Sequence, residues 1–268
     1  MFTVLLAVAI SADLQIAASR TLLASVVTPA NQPIVDLEAD DFVVREAGQA
    51  RDILSLRIAD YPVIVLIDNS RARDFETIRA AASQFIDRVG QRPVAVGTLA
   101  EPPTIVASFD DERSVVLARL NAMKADSAGQ GMLLQGIANA ARLVSNSGAL
   151  FSAIVVISAA PVDASRGALN ELLGQVLASR AAVHVVANGS GEEISSIDEL
   201  RGISEQTKGQ FTTIYAVASY QIALDHLADQ MATEIMVEYI VPTAAAPTGE
   251  VMVGVRLPGA VVRGLGVR

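Results

Sequence analysis

The sequence contains no cysteine and no tryptophan. Without thiols there is no disulfide and no thiolate metal site, and cysteine usage says nothing about redox compartment. Aromatic residues make up only 4% of the 268 positions, so the core has to be built from aliphatic side chains. Basic residues are also scarce. Twenty Lys and Arg stand against 29 Asp and Glu, the net charge is -9, and no Lys/Arg cluster interrupts it, which argues against a nucleic-acid surface. No apolar run is long enough for a transmembrane helix. No strand is followed by Gly-x-Gly-x-x-Gly, and neither Gly-x-x-x-x-Gly-Lys-Ser/Thr nor Gly-x-Ser-x-Gly occurs, so the fingerprints of dinucleotide, P-loop and serine-hydrolase sites are missing. What is present is 51% hydrophobic and 18% charged residues, the balance of a well-cored protein of one large or two modest domains.

The amino end, from Met1 to Ala12, is apolar and finishes in small residues. That is the pattern of a signal peptide, although the basic start is lacking and the first arginine is Arg20. Residues 1–18 are expected to be such a leader, which places the protein in the periplasm or outside the cell. From 19 to 60 the chain reads as short strands. Pro29-Ala30-Asn31-Gln32-Pro33 is a turn, and Phe42 to Leu56 reads as a hairpin about Ala47-Gly48.

Between 61 and 233 strands alternate with helices. Phe75, Ile78, Ala82, Phe85 and Val89 fall on one face at the helical period of about 3.6. Leu133, Ile137, Ala140 and Val144 do the same, as do Tyr220, Leu224, Leu227, Met231 and Ile235. Pro62 to Ile67 and Phe151 to Ile157 are short apolar runs rich in Val and Ile, the signature of strands buried on both faces. The expected fold is α/β, a doubly wound, mostly parallel sheet. After 234 strands return: Ile235 to Val241, then a hairpin of Val251 to Leu257 and Ala260 to Leu265. Neither flank could bury a core alone, so 19–60 and 234–268 are expected to form one small β-sandwich carrying the α/β unit as an insert.

The first parallel strand stops at Asp68-Asn69-Ser70-Arg71-Ala72. In open α/β sheets, ligands bind beyond the carboxyl ends of the strands, which makes this the place for a site. Ile64 to Ser70 resembles the first strand and the opening of the Asp-x-Ser-x-Ser motif of a von Willebrand factor A domain. Asp41-Phe42-Val43-Val44-Arg45-Glu46-Ala47-Gly48, Phe109-Asp110-Asp111 and Val255 to Arg263 are similar to a bacterial, Acidobacteria-type subgroup of such proteins. The resemblance implies a Rossmann-like fold, a protein partner and a metal-ion-dependent adhesion site for Mg²⁺ or Mn²⁺. It also implies that the site is degenerate. Asp68 and Ser70 match, but the second serine position is Ala72, the threonine position falls on Gly131 or Met132, and the aspartate position is Ala159. A hard dication needs several oxygen donors in near-octahedral array. Asp68 and Ser70 are therefore expected as a remnant, capping the next helix or bonding loop amides, with no cofactor beyond weak Mg²⁺ or Mn²⁺.

Two alternatives stay open: a rearranged metal site that recruits Asp163 or Asp126, and an α/β enzyme acting on a small ligand near Asp68. The main expectation is a non-catalytic module for adhesion or assembly. It would meet another protein through Asn69, Arg71, Arg73, Gln130 and Ser158, with the arginines contacting a partner carboxylate directly. His184, in an apolar strand, is expected in the core and His226 on the surface. Asp110-Asp111-Glu112 is expected to open a helix, where acids favour the dipole.

Overall fold

The computed structural model describes residues 17–30, 32–126, 130–159, 169–189, 194–242 and 250–268. The chain runs through β1 (Ala17–Val27), β2 (Phe42–Glu46), β3 (Gln49–Arg51) and β4 (Ile53–Ile58) before the alternating region. That region is β5 (Val63–Ile67), α1 (Ala72–Arg88), β6 (Val94–Thr98), β7 (Ile105–Ala107), α2 (Arg113–Ala122), α3 (Leu133–Asn146), β8 (Ala153–Ser158), α4 (Leu169–Ser179), β9 (Ala182–Asn188), α5 (Ile194–Gln206), β10 (Phe211–Ile214) and α6 (Ser219–Ala232). It closes with β11 (Ile235–Pro242), β12 (Val251–Val255) and β13 (Val261–Val267).

The central sheet has the order β10-β9-β8-β5-β6-β7, parallel except for β7. Its two core strands are buried along their whole length. Alternate residues serve opposite faces. Val63, Val65 and Ile67 pack with α1, α2 and α6 through Phe75, Phe85, Leu120 and Leu224. Ile64 and Leu66 pack on the other side with α3, α4 and α5 through Ile137, Val144, Val176 and Ile203. Strand order reverses between β5 and β8, so the topological switch point lies where Asp68 and Ser158 end their strands.

The flanking strands form two sheets, β13-β1-β11-β4 and β12-β2-β3. Leu22, Val26, Phe42, Val44, Val237 and Tyr239 fill the space between them. Both chain ends thus share one core. The β2–β3 turn uses positive φ at Ala47 (50°) and Gly48 (78°), the backbone twist that suits a tight hairpin.

Three details depart from expectation. The last two strands are not a hairpin: β12 pairs with β2 and β13 with β1. The Pro258-Gly259 turn, with Gly259 at φ 79°, carries the chain across the sandwich from one sheet to the other. The α6 stripe ends before Ile235, which belongs only to the strand expected there and opens β11 opposite Ile58. Finally, β1 begins at Ala17, inside the segment expected as a leader, and Ala17 and Ala18 pair with Pro242 and Val241. Residues 1–16 lie outside the described residues.

The insert joins the sandwich where two chain crossings run side by side. Ala59 N–H donates to the Glu234 carbonyl at 2.8 Å. The Tyr61 hydroxyl donates to the Glu234 carboxylate at 2.5 Å, and Arg92 approaches the same oxygen at 3.3 Å with its guanidinium 4.1 Å over the Tyr61 ring. All three side chains are buried. His184, on β9, is buried as the apolar strand implies, while His226 is exposed.

Burial lifts Glu234 to about 7, against the opposing pull of Arg92 and the Tyr61 hydroxyl. Burial, aided by the Arg92 charge, drops His184 to about 4. Their effects on stability have opposite signs. From pH 4.5 to about 7 the folded chain keeps a Glu234 proton that the unfolded chain releases, so stability falls as pH rises. From about 4 to 6.5 the unfolded chain takes up a histidine proton that folded His184 refuses, so stability rises with pH. In the shared window the two offset. Urea denaturation across this range is expected to uncover the histidine slope in Glu234→Gln, a gain on the order of 3 kcal/mol as pH rises. His184→Asn should uncover the opposite slope, a fall of similar size ending near pH 7. Parallel profiles in both variants would show that these groups titrate normally.

Candidate functional site

Asp68 is fully buried at the end of β5. Its Oδ1 accepts the Ser70 N–H at 3.1 Å and the Ser70 hydroxyl at 2.6 Å. Its Oδ2 accepts the Ala159 N–H at 3.0 Å and the Ser158 hydroxyl at 3.4 Å. The carboxylate therefore clamps the loop after β5 to the loop after β8 across the switch point. It does so because β5 and β8 are neighbours in register, Ile67 opposite Ile157. The N-cap of α1 is Arg71, whose side chain makes no capping bond. Of the two roles expected for the remnant, bonding loop amides is the one the geometry supplies.

Asn69 extends the clamp to the next loops. Its Oδ1 accepts the Ala100 N–H at 3.1 Å, its Nδ2 donates to the Lys124 carbonyl at 3.3 Å, and its own carbonyl accepts the Asp126 N–H at 2.7 Å. The Gly131 loop is pinned beside it: Ala100 bridges Gly131, Glu101 N–H donates to the Gln130 carbonyl, and Met132 N–H donates to the Leu99 carbonyl. From below, the Tyr220 hydroxyl on α6 donates to the Ser158 carbonyl at 2.5 Å. Burial, then the charges of Asp68 and Asp74, push this phenol well above its ordinary range, so it stays a donor. Its role was missed in the sequence, where Tyr220 reads as one more apolar position of a helix stripe. The available signal was a phenol in an aliphatic stripe, because a buried hydroxyl needs an acceptor.

Two of the expected contact residues need correction. Ser158 is 0% exposed and Asn69 only 7%, with their hydrogen bonds spent inside the protein, so they shape the rim and do not present a surface. Arg71, Arg73 and Gln130 are exposed, and the two arginines have no acidic partner among the described residues. Asp126 is exposed and held by its backbone to Asn69. Asp163 lies outside the described residues. Asp111 sits before α2 as expected, where it accepts the Ser108 N–H and an Arg119 contact at 2.8 Å.

Comparison with solved structures identifies the architecture. A von Willebrand factor type A protein from Catenulispora acidiphila superposes with a TM-score of 0.57 at 13% identity, over 88% of this chain and 74% of that one. Proximal thread matrix protein 1 from the mussel byssus gives 0.55 at 14% identity, over 65% of this chain and 48% of its own. The α/β unit has the von Willebrand A fold. This chain spans about half the length of the mussel protein. No family model matches the sequence, and no curated protein matches it.

Another structure of the mussel protein, at TM-score 0.55 and 13% identity, has zinc in its metal-ion-dependent adhesion site. The positions that the sequence resemblance sets against the remaining ligands, Ala72, Gly131 or Met132, and Ala159, carry no side-chain oxygen. Both Asp68 oxygens already accept hydrogens from the protein, and no group of three His, Asp or Glu that could hold a metal occurs among the described residues. Asp68→Ala would leave the Ser70 and Ala159 amides without that acceptor, and each hydrogen bond to a charged group is worth about 1.5–3 kcal/mol. Urea denaturation should register that loss, and EDTA should leave the wild-type midpoint unchanged. A wild-type midpoint that drops in EDTA and recovers with Mg²⁺ would instead place an ion on the carboxylate.

Proposed function

We propose that this chain is a non-catalytic protein-interaction module, for adhesion or assembly, whose rim grips a partner without a bridging cation. The observation that carries the reading is the Asp68 carboxylate, whose two oxygens are occupied by the protein's own donors. In a cation-bridged interface such a carboxylate would face the ion and, through it, the partner. Exposed Arg71 and Arg73 at the start of α1 supply positive charge at this rim, beside the exposed acids Glu101 and Asp126 on the neighbouring loops. A guanidinium recognises a carboxylate through paired N–H donors, so an acidic side chain on the partner suits this surface.

A catalytic reading has less support. Ser70 is bonded directly to Asp68, with no histidine between them to act as base, and His184 lies in β9 against the opposite end of the sheet. The apolar run at the amino end supports an exported setting for the module.

The test is capture of the partner from the envelope fraction with the intact chain as bait. Arg71→Ala combined with Arg73→Ala should reduce capture at least tenfold, and EDTA should not change it. Capture abolished by EDTA and restored by Mn²⁺ would overturn the metal-free reading. Capture unaffected by the double substitution would overturn the assignment of the rim.

A further inference from the structure

At the other end of the central sheet, opposite Asp68, the insert and the sandwich border a partly open cavity of about 590 Å³. We propose that it binds a small amphiphilic organic anion, a carboxylate on an aliphatic body. The size is that of small-molecule sites, which run from about 300 to 1,000 Å³.

The two domains contribute different walls. The starts of β8, β9 and β10 and the end of α6 supply one side, and β1, β13 and the start of β12 the other. Leu23, Phe151, Leu227 and Met231 make an apolar interior for an aliphatic body. One polar group is set into that wall. His184 lines the cavity and is only 7% exposed. Its Nδ1 accepts the Gln210 N–H at 3.2 Å, so the neutral ring carries its proton on Nε2. That nitrogen has no partner among the described residues.

Charge decides the sign of the ligand. Arg180, Lys208, Arg263 and Arg268 all line the cavity, and none has an acidic partner among the described residues. The acids facing it are Glu250 and Glu234, and Glu234 is already engaged by Tyr61 and Arg92. Arg268 spends its donors on the Leu150, Val267 and Arg180 carbonyls, which leaves Arg180, Lys208 and Arg263 for a ligand; in a chain of net charge -9, this excess of cations over the facing acids is a local reversal of field.

The backbone gives an independent reason to assign these cations a task. Arg180 and Lys208 follow α4 and α5 at φ 57° and 61°, the left-handed region that favours glycine. After α1 and α3 the same conformation is taken by Gly90 and Gly148. Two long cationic side chains kept where glycine fits better, both lining one cavity, are strain held at a site.

Calorimetric titration of the full chain with decanoate, with decanol as the neutral control, tests this. The expected result is saturable one-site binding of decanoate, at least tenfold tighter than decanol. The His184 ring resonances should shift on saturation while those of His226 do not. In Arg180→Gly combined with Lys208→Gly, decanoate affinity should fall at least tenfold while the melting temperature of the free protein stays level or rises. No saturable decanoate binding, equal affinity for decanol, undiminished affinity in the double variant, or binding that leaves His184 unmoved would each overturn the proposal.

Discussion

A single carboxylate with its acceptors filled from within organises the functional end of this molecule. Asp68 leaves a strand that is buried on both faces, so its side chain cannot reach solvent. A buried charge is tolerated only when hydrogen-bonded, and the donors come from the loop after its own strand and from the loop after the neighbouring one. Asn69 and Tyr220 then tie the adjacent loops and the last helix to the same point. The rim is thus a preorganised platform. Its shape is set by bonds within the chain, and on the proposed reading that lowers the ordering cost of association.

The second constraint lies at the opposite end, where the insert is joined to the sandwich. Two adjacent crossings would leave a hinge if nothing held them. Here Tyr61, Arg92 and Glu234 are packed into one buried knot, with Glu234 tied to both partners. The desolvation cost of the carboxylate outweighs the help from Arg92, which is why Glu234 holds its proton so high. The same junction forms the floor of the cavity. A ligand there would touch both domains at once and so report on, or reinforce, how they are joined.

Much of the architecture was legible in the sequence because it follows from periodicity. The Val- and Ile-rich runs ending at Asp68 and Ser158 read directly as core strands, and the Phe75–Val89 and Leu133–Val144 stripes as helix faces. The sandwich was legible from an argument about size: neither flank could bury a core alone. Pairing partners were not legible. Adjacent strands Val251–Val255 and Val261–Val267 look like a hairpin in one dimension, yet Gly259 sends them to different sheets. At the site, the sequence shows that Ala72, Gly131 and Ala159 carry no side-chain oxygen, but not where Asp68, Asn69 and Ser158 point. Ser158 and Asn69 look like surface donors in the sequence and turn inward because Asp68 and the Ala100 amide need them. The cavity was invisible for a similar reason. Its walls come from stretches as far apart as Leu23, His184 and Arg263, and no local pattern links them.

The central claim concerns the occupancy of Asp68, and manganese reads it most directly. Aqueous Mn²⁺ gives a sharp paramagnetic resonance that is lost when the ion enters a protein site. The expected result is a signal undiminished by stoichiometric wild-type protein and identical with Asp68→Asn. Stoichiometric loss of signal with the wild type that is absent with Asp68→Asn would contradict the claim and restore a metal-bridged interface at the end of β5.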